Sequence, residues 1–312
     1  MTPVFRRIAV VGLGLLGGSV ALAAKARGAA GTVVGATRSA DARERALRNG
    51  AVDAVREPVE AVRGAELVVL ATPVHAMQGV VLALGPGLEH GAIVTDVGSV
   101  KGVLLERLPG SLPEGVTWVG SHPMAGSHER GIQAARADLF EGAVCVVTAA
   151  GDAAAAGRVA AFWRALGARV IERDPARHDE EVAWTSHLPH LLAFAFARAL
   201  DAAPAGWRDV VGSGFRDFTR IAHSDGELWS DILTANRKAL AAPLEAFGAA
   251  LRELARALEA GDAEALESLL AAARRSLGSA ASADPADAAD DDTNPSSPER
   301  EDTNAGRSKY AS

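Results

Sequence analysis

Hydrophobic positions in the first 174 residues come in short unbroken runs set between mixed or polar stretches. The runs are "RIAVVG" (7–12), "TVVGATR" (32–38), "AELVVLATP" (65–73), "GAIVTDVGSVK" (91–101), "AVCVVTAA" (143–150) and "ARVIERD" (168–174). Runs this short, rich in β-branched residues and lacking polar alternation, predict strands buried on both faces, as in a parallel sheet. Helical or loop-rich segments between them predict an α/β fold with a doubly wound sheet. Past residue 174 the period changes. "DPARHDEEVAWTSHLPHLLAFAFARAL" places Trp184, Leu188, Leu191, Leu192 and Ala195 on one helical face, with His187 and His190 three apart beside it. Pro189 between the histidines predicts a kink and a freed backbone carbonyl. "GELWSDILTANRKALAAPLEAFGAALRELARALEAGDAEALESLLAAARRSLG" reads as at least two further long amphipathic helices. An all-helical second half with such wide apolar faces is suited to completing its core against a second chain, so a homodimer is expected.

The opening "MTPVFRRIAVVGLGLLGGSVALAAKARG" admits two readings. Two arginines, an apolar run and a small-residue end resemble a secretory leader. That leader must be helical, however, and Gly12, Gly14, Gly17 and Gly18 each cost about 1 kcal/mol in a helix relative to alanine. Read as strand–turn–helix, the same glycines have uses. Gly12 permits the tight turn, Gly14 lets a pyrophosphate approach the backbone, and Gly17 lets the helix pack on the strand. Leu15 and Leu16 then open the helix whose amides face the phosphates. The second strand follows at the right distance to complete a βαβ unit, which favours a nicotinamide dinucleotide as cofactor. Thr72 and Pro73, and Gly98 after a later strand, fall on the loops that would line it. Where an acidic residue would hold the ribose of NAD, the chain has Thr37, Arg38 and Ser39. A guanidinium flanked by hydroxyls suits a 2′-phosphate, so NADP is favoured over NAD.

Composition narrows the class without changing it. The chain has 312 residues, 48% of them hydrophobic, enough for about two domains with real cores. One cysteine, Cys145, excludes an internal disulfide and fits a reducing, cytoplasmic setting. The formal charge of −7 is uneven: from Gly278 onward eight Asp or Glu face three Lys or Arg, so the tail carries −5 and the body −2. No basic stripe argues for nucleic acid, and beyond the first run nothing is long and apolar enough to span a membrane. Residues 278–312 read as a disordered acidic tail. The expected division is therefore 1–174, nucleotide-binding; 175–277, helical, for substrate and dimerisation; and 278–312, tail.

Four polar clusters stand apart from this framework: "TDVGSVK" with Ser99 and Lys101, "VGSHPMAGSHERG" with His122 in a Pro/Gly-bounded loop, "SHLPH" with His187 and His190, and "GSGFRDFTRIAHSDGELWSDI" with Arg216, Asp217, Arg220 and Trp229. The histidine pair lacks a third and fourth ligand at a plausible spacing, so no metal is expected. Taken in order, "GLGLLGGS", "DVGSVK", "SHPMAG", "SHLPH" and "FRDFTRIA" resemble the prephenate and arogenate dehydrogenase family of tyrosine biosynthesis, from about Arg7 to Leu277. The resemblance implies a Rossmann-type domain followed by a helical dimerisation domain. It also implies hydride transfer from a cyclohexadienol to NAD(P) with loss of carbon dioxide. On that basis His122 is the catalytic base, with Ser99 sharing its hydrogen bond to the substrate hydroxyl. Arg220 clamps a carboxylate of the substrate, His190 and His187 line the pocket, and Trp229 closes its side.

One position departs from the family. Where many relatives carry a glutamate two residues after the "HPMAG" glycine, this chain has His128, with Glu129 next. A carboxylate there would favour the ammonium of arogenate, so its replacement tilts the expectation towards prephenate. Two other readings compete. A β-hydroxyacid-type dehydrogenase would place a catalytic lysine on the helical half, where no comparable motif appears. A nucleotide-sensing regulator would not need His122, Ser99 and Arg220 together. The span from residue 7 to Leu277 leaves no room for an added mutase or regulatory domain, so tyrosine feedback is expected at the active site itself.

Overall fold

The computed structural model describes residues 2–126, 129–148 and 151–281. Its centre is an eight-stranded sheet of β1 (Phe5–Val11), β2 (Ala30–Ala36), β3 (Ala54–Val55), β4 (Leu67–Leu70), β5 (Ile93–Asp96), β6 (Thr117–Pro123), β7 (Val144–Thr148) and β8 (Arg169–Glu172). The order is β3-β2-β1-β4-β5-β6-β7-β8, parallel from β3 through β6. β6 and β7 then pair antiparallel, so the sheet is doubly wound but not parallel throughout.

Register explains why the strands read as solid apolar runs. In β1, Ile8 and Val10 belong to one buried cluster with Val20, Phe162 and Trp163. Ala9 and Val11 belong to a second with Met77, Leu84 and Trp118. Alternate side chains point to opposite faces, and both are covered in the central strands, so most positions there are apolar, although β5 also buries Thr95 and Asp96; the edge strand β8 has no buried residue. The helices associated with the sheet are α1 (Leu15–Ala26), α2 (Ala40–Arg48), α3 (Pro58–Val62), α4 (Met77–Leu84), α5 (Gly102–Arg107) and α6 (Ala153–Ala165).

From Pro175 the chain is helical: α7 (Pro175–Val182), α8 (Leu188–Ala199), α9 (Ser213–Thr219), α10 (Gly226–Ala235), α11 (Arg237–Ala260) and α12 (Ala263–Ala281). The expected kink is a π-type turn over Ala183–His187, with Pro189 in the first turn of α8, where its missing N–H costs little. Of the apolar face read there, Leu188 is buried but Trp184 is 52% exposed. One compact unit spans Met1–Ala246 and a second begins at Phe247. Within the second, Leu251, Leu258, Leu270 and Leu277 are all exposed. α12 continues through Gly278 to Ala281, so the first residues assigned to the tail are helical, and the rest of the tail lies outside the described residues.

Candidate active site

The chain winds outward from β1 through β2 and β3, then returns to place β4 on the other side of β1. Ligands bind at the carboxyl ends of strands beside such a reversal, and the glycine motif lies there. Gly12 has φ +98°, and a Cβ on it would fall 2.4 Å from the Ala71 carbonyl oxygen. A Cβ on Gly17 would fall 1.9 Å from the Gly12 oxygen, so α1 can approach the turn only with glycine at that position. Gly14, the residue before α1, meets nothing on its open side and brings no side-chain cap, leaving the first amides of the helix for a ligand. Thr72 Oγ1 is buried with no partner among the described residues, while Pro73 is exposed beside it. A cradle without a side chain beside an orphaned hydroxyl fits a dinucleotide pyrophosphate. Leu15 and Leu16 are half-buried against the core cluster below the turn.

Past β2, the Ser39 hydroxyl accepts from Ala42 N (3.1 Å) and caps α2, and Ser39 N donates to Thr37 Oγ1 (3.2 Å). Both hydroxyls thus shape the turn. Arg38 is exposed, and its guanidinium makes no hydrogen bond or ion pair among the described residues.

His122 is on a strand, not in the loop expected from its Pro/Gly surroundings. β6 pairs with β5 only as far as Val119 and continues alone past the end of β5, now pairing with β7, where His122 faces Val146. That overrun places the imidazole at the carboxyl edge of the parallel strands. Ser99 is half-buried in the loop after β5. The loop is held from behind by Asp96, whose Oδ1 accepts from Gly98 N (2.8 Å) and whose Oδ2 accepts from Trp118 Nε1 (3.1 Å). Lys101 Nζ forms an ion pair with Asp96, and both side chains are fully buried. Gly98 packs tightly here: a Cβ on it would lie 3.0 Å from Asp96 Oδ1 and 3.2 Å from Val74 Cγ2. Lys101, from the "TDVGSVK" cluster, neutralises this carboxylate.

The helical residues converge on the same region. His187 is buried, and its ring centroid lies 6.1 Å from that of Trp229. His190 stacks on Trp229 with centroids 3.6 Å apart and planes 17° from parallel, and its Nδ1 donates to the Ser186 carbonyl (2.9 Å). The π-turn in front of α8 presents both histidines to one side, a common use of such turns at functional sites. Trp229 is carried by α10, which is tied to the loop after Thr72–Pro73: His75 N donates to Asp231 Oδ2 (3.2 Å). Arg220 is exposed, yet close enough to lower the proton affinity of His190.

Three histidines are held neutral. Burial above all drives His122 well below the ordinary imidazole value, helped by His178, Lys101 and His187. Burial pushes His187 down to about 4 against the pull of Asp179. His190 is lowered mainly by burial and also by Arg220, with the Ser186 hydrogen bond opposing. A buried neutral imidazole is an available base. Burial also pushes the Cys145 thiol up, leaving it unreactive behind the strand.

Sequence reasoning missed His178, Asp179 and Asn236. His122 Nδ1 is 2.9 Å from His178 Nε2, and His178 Nδ1 is 2.8 Å from Asp179 Oδ1. Asn236 Nδ2 lies 2.9 Å from His187 Nδ1. The sequence carried little signal: α7 buries Pro175, His178, Asp179 and Val182 at the i, i+3, i+4, i+7 core spacing, but two of these four are polar. His128 lies outside the described residues.

Comparison with known proteins matches both parts of the chain to one family. Residues 20–172 match the model of the prephenate dehydrogenase nucleotide-binding domain, and residues 174–272 that of the prephenate dehydrogenase dimerization domain. The chain is 36% identical over 270 residues to a cyclohexadienyl dehydrogenase of Zymomonas mobilis, spanning 84% of this chain and 92% of that protein. It is 34% identical over 255 residues to a prephenate dehydrogenase of Bacillus subtilis, spanning 79% and 68%. The crystal structure of prephenate dehydrogenase from A. aeolicus, in complex with hydroxyphenyl propionate and NAD+, superimposes with a TM-score of 0.80 at 29% identity. It covers 88% of this chain and 98% of that one. Matched in order along both its sheet and its helices, the chain belongs to the prephenate dehydrogenase family of NAD(P)-dependent oxidoreductases.

Proposed function

We propose that this chain oxidises and decarboxylates prephenate to 4-hydroxyphenylpyruvate, with His122 as the base. The observation that carries the reading is His122 itself: a neutral, buried imidazole at the carboxyl edge of the sheet, grouped with His187, His190 and Trp229. The hydroxyl proton of the substrate passes to His122 as hydride leaves the same carbon. Loss of carbon dioxide then returns its bonding pair to the ring, and the phenolate oxygen takes a proton back. Ser99 orients the hydroxyl, and Arg220 pairs with a substrate carboxylate. His190, His187 and Trp229 line the pocket around the ring. Bound dinucleotide accepts the hydride. Gly12, Gly14, Leu15, Leu16 and Gly17 would hold its pyrophosphate, with Thr72, Pro73 and Gly98 on the neighbouring loops.

NADP is the preferred form on this reading, because Arg38 stands uncommitted at the end of β2. Its partner hydroxyls are engaged locally, so the preference rests on the guanidinium. The exposed Trp184, Phe196, Leu251 and Leu258 of the helical half support a homodimer, the division of roles falls at residue 174, and the lone buried Cys145 suits a cytoplasmic enzyme. Arogenate turnover is a second reading, favoured by the Zymomonas cyclohexadienyl relative.

Purified chain given prephenate or arogenate with NAD or NADP, followed by nicotinamide absorbance, tests the reaction, its substrate and its cofactor. Prephenate with NADP should be the best pair. His122→Asn should lower kcat by about 10²-fold or more. Arg38→Ala should raise KM for NADP well above any change for NAD; equal changes would remove the phosphate reading. A folded chain that reduces neither cofactor with either substrate ends the proposal.

A further inference from the structure

Behind the imidazole of His122 runs a hydrogen-bond chain in which each proton position follows from the next. Asp179 accepts from the backbone N–H of Lys101 at Oδ1 and of Gly102 at Oδ2, both at 2.8 Å. Its Oδ1 also faces His178 Nδ1 at 2.8 Å. A carboxylate only accepts, so His178 carries a proton on Nδ1, and the neutral ring offers a lone pair at Nε2. His122 Nδ1, 2.9 Å away, is then the N–H of that contact, and His122 Nε2 is left bare.

A second branch starts from the same residue. Asn236 Nδ2 lies 2.8 Å from the Asp179 backbone oxygen, which cannot donate, so the orientation of the amide is settled. The other amide proton points to His187 Nδ1 at 2.9 Å. That nitrogen accepts, so the neutral His187 ring carries its proton on Nε2. His187 is fully buried, and its Nε2 meets no partner among the described residues. An unmet buried donor is unfavourable until an acceptor arrives.

We propose that Asp179, acting through His178, and Asn236 are positioning residues that hold His122 and His187 in opposite tautomers, so that one imidazole presents a bare nitrogen and the other an N–H to the same substrate. This rests on the reading of His122 as the base. Free histidine prefers its proton on Nε2, so His122 is held in the less favoured form. When His122 Nε2 takes the substrate hydroxyl proton, the imidazolium stays hydrogen-bonded through His178 to a carboxylate. The His187 N–H is matched to an oxygen of the substrate, and its fixed tautomer prevents it from competing as a base.

The full-length chain labelled with ¹⁵N-histidine, studied above the ordinary imidazole titration range, reads these tautomers directly. Signals are assigned by their loss in His122→Asn, His187→Asn and His178→Gln. The expected spectrum shows His122 protonated at Nδ1 and bare at Nε2, with His187 the reverse. His122 protonated at Nε2, or His178 doubly protonated, overturns the proposal. In kinetics, His178→Leu should lower kcat by about 10²-fold or more, as loss of a correctly oriented base does, with KM nearly unchanged. His178→Gln keeps an acceptor near the former Nε2 and should recover about tenfold, roughly what one neutral hydrogen bond contributes. Equal losses in the two variants, or a loss confined to KM, count against it. If the substituted chains do not fold, the spectrum of the unsubstituted protein decides alone. Absence of turnover in that folded protein would remove the functional reading while leaving the tautomers measurable.

Discussion

Lys101→Met would leave Asp96 charged, buried and without its counter-ion. Both side chains have zero exposure in the folded chain, so water cannot take over from the ammonium. The carboxylate would keep two donors, Gly98 N at 2.8 Å and Trp118 Nε1 at 3.1 Å. Breaking a buried pair from one side costs about 3–5 kcal/mol. The two remaining hydrogen bonds place the expected loss at the lower end, about 3 kcal/mol. For a chain of this length that corresponds to a fall in Tm of roughly 4–6 °C. Urea unfolding and a thermal melt measure it. The double variant, Asp96→Asn with Lys101→Met, removes both charges while keeping an oxygen acceptor, and should recover at least half of the loss. A cost under about 1 kcal/mol for the single variant, or simple addition in the double one, would refute the idea that the pair acts as a unit. There is a second readout. The Lys101 charge is one of the influences holding down the proton affinity of His122, so its removal should move the acid limb of kcat/KM to higher pH. The backbone N–H that Lys101 gives to Asp179 is unaffected by the substitution.

Two further outcomes follow from the histidines and the tryptophan. His187 titrates near 4 in the folded chain and near 6.5 when unfolded. Above about pH 6.5 it is neutral in both states and adds no pH dependence. As pH falls from there towards 4, only the unfolded ring gains a proton, so stability declines by an amount of order 3 kcal/mol. Urea unfolding across that window should show the decline, and His187→Asn should make it shallower, His122 and His190 contributing the rest; an unchanged slope would be evidence against a neutral buried ring. Trp229→Leu removes the stack under His190, a contact worth about 1 kcal/mol, and should raise KM for prephenate several-fold with a smaller effect on kcat. No change in KM would mean that the stack does not form the substrate wall.

The nucleotide-binding half was legible because its signals are local. A glycine required by φ +98° at Gly12, and central strands whose apolar residues are buried on both faces, leave their mark within a few adjacent positions. β6 was missed because "TWVGSHP" carries Gly120, Ser121 and Pro123 where an apolar run would be, and so reads as a loop. Its polar members are satisfied across the sheet instead, as when Ser121 Oγ meets Thr95 Oγ1 at 2.7 Å.

By itself, the sequence determined six of the eight strands and the glycine turn that opens α1. Only the tertiary structure decided which buried polar groups meet. His178 and Asp179 sit in a stretch, "DPARHDEEV", that resembles any solvated helix, and they become buried partners only through residues 56 and 78 positions away. Asn236 reaches His187 across 49. Periodicity reports what a segment buries; a buried polar group needs a specific partner, and that partner is chosen by the folded chain rather than by its neighbours in sequence.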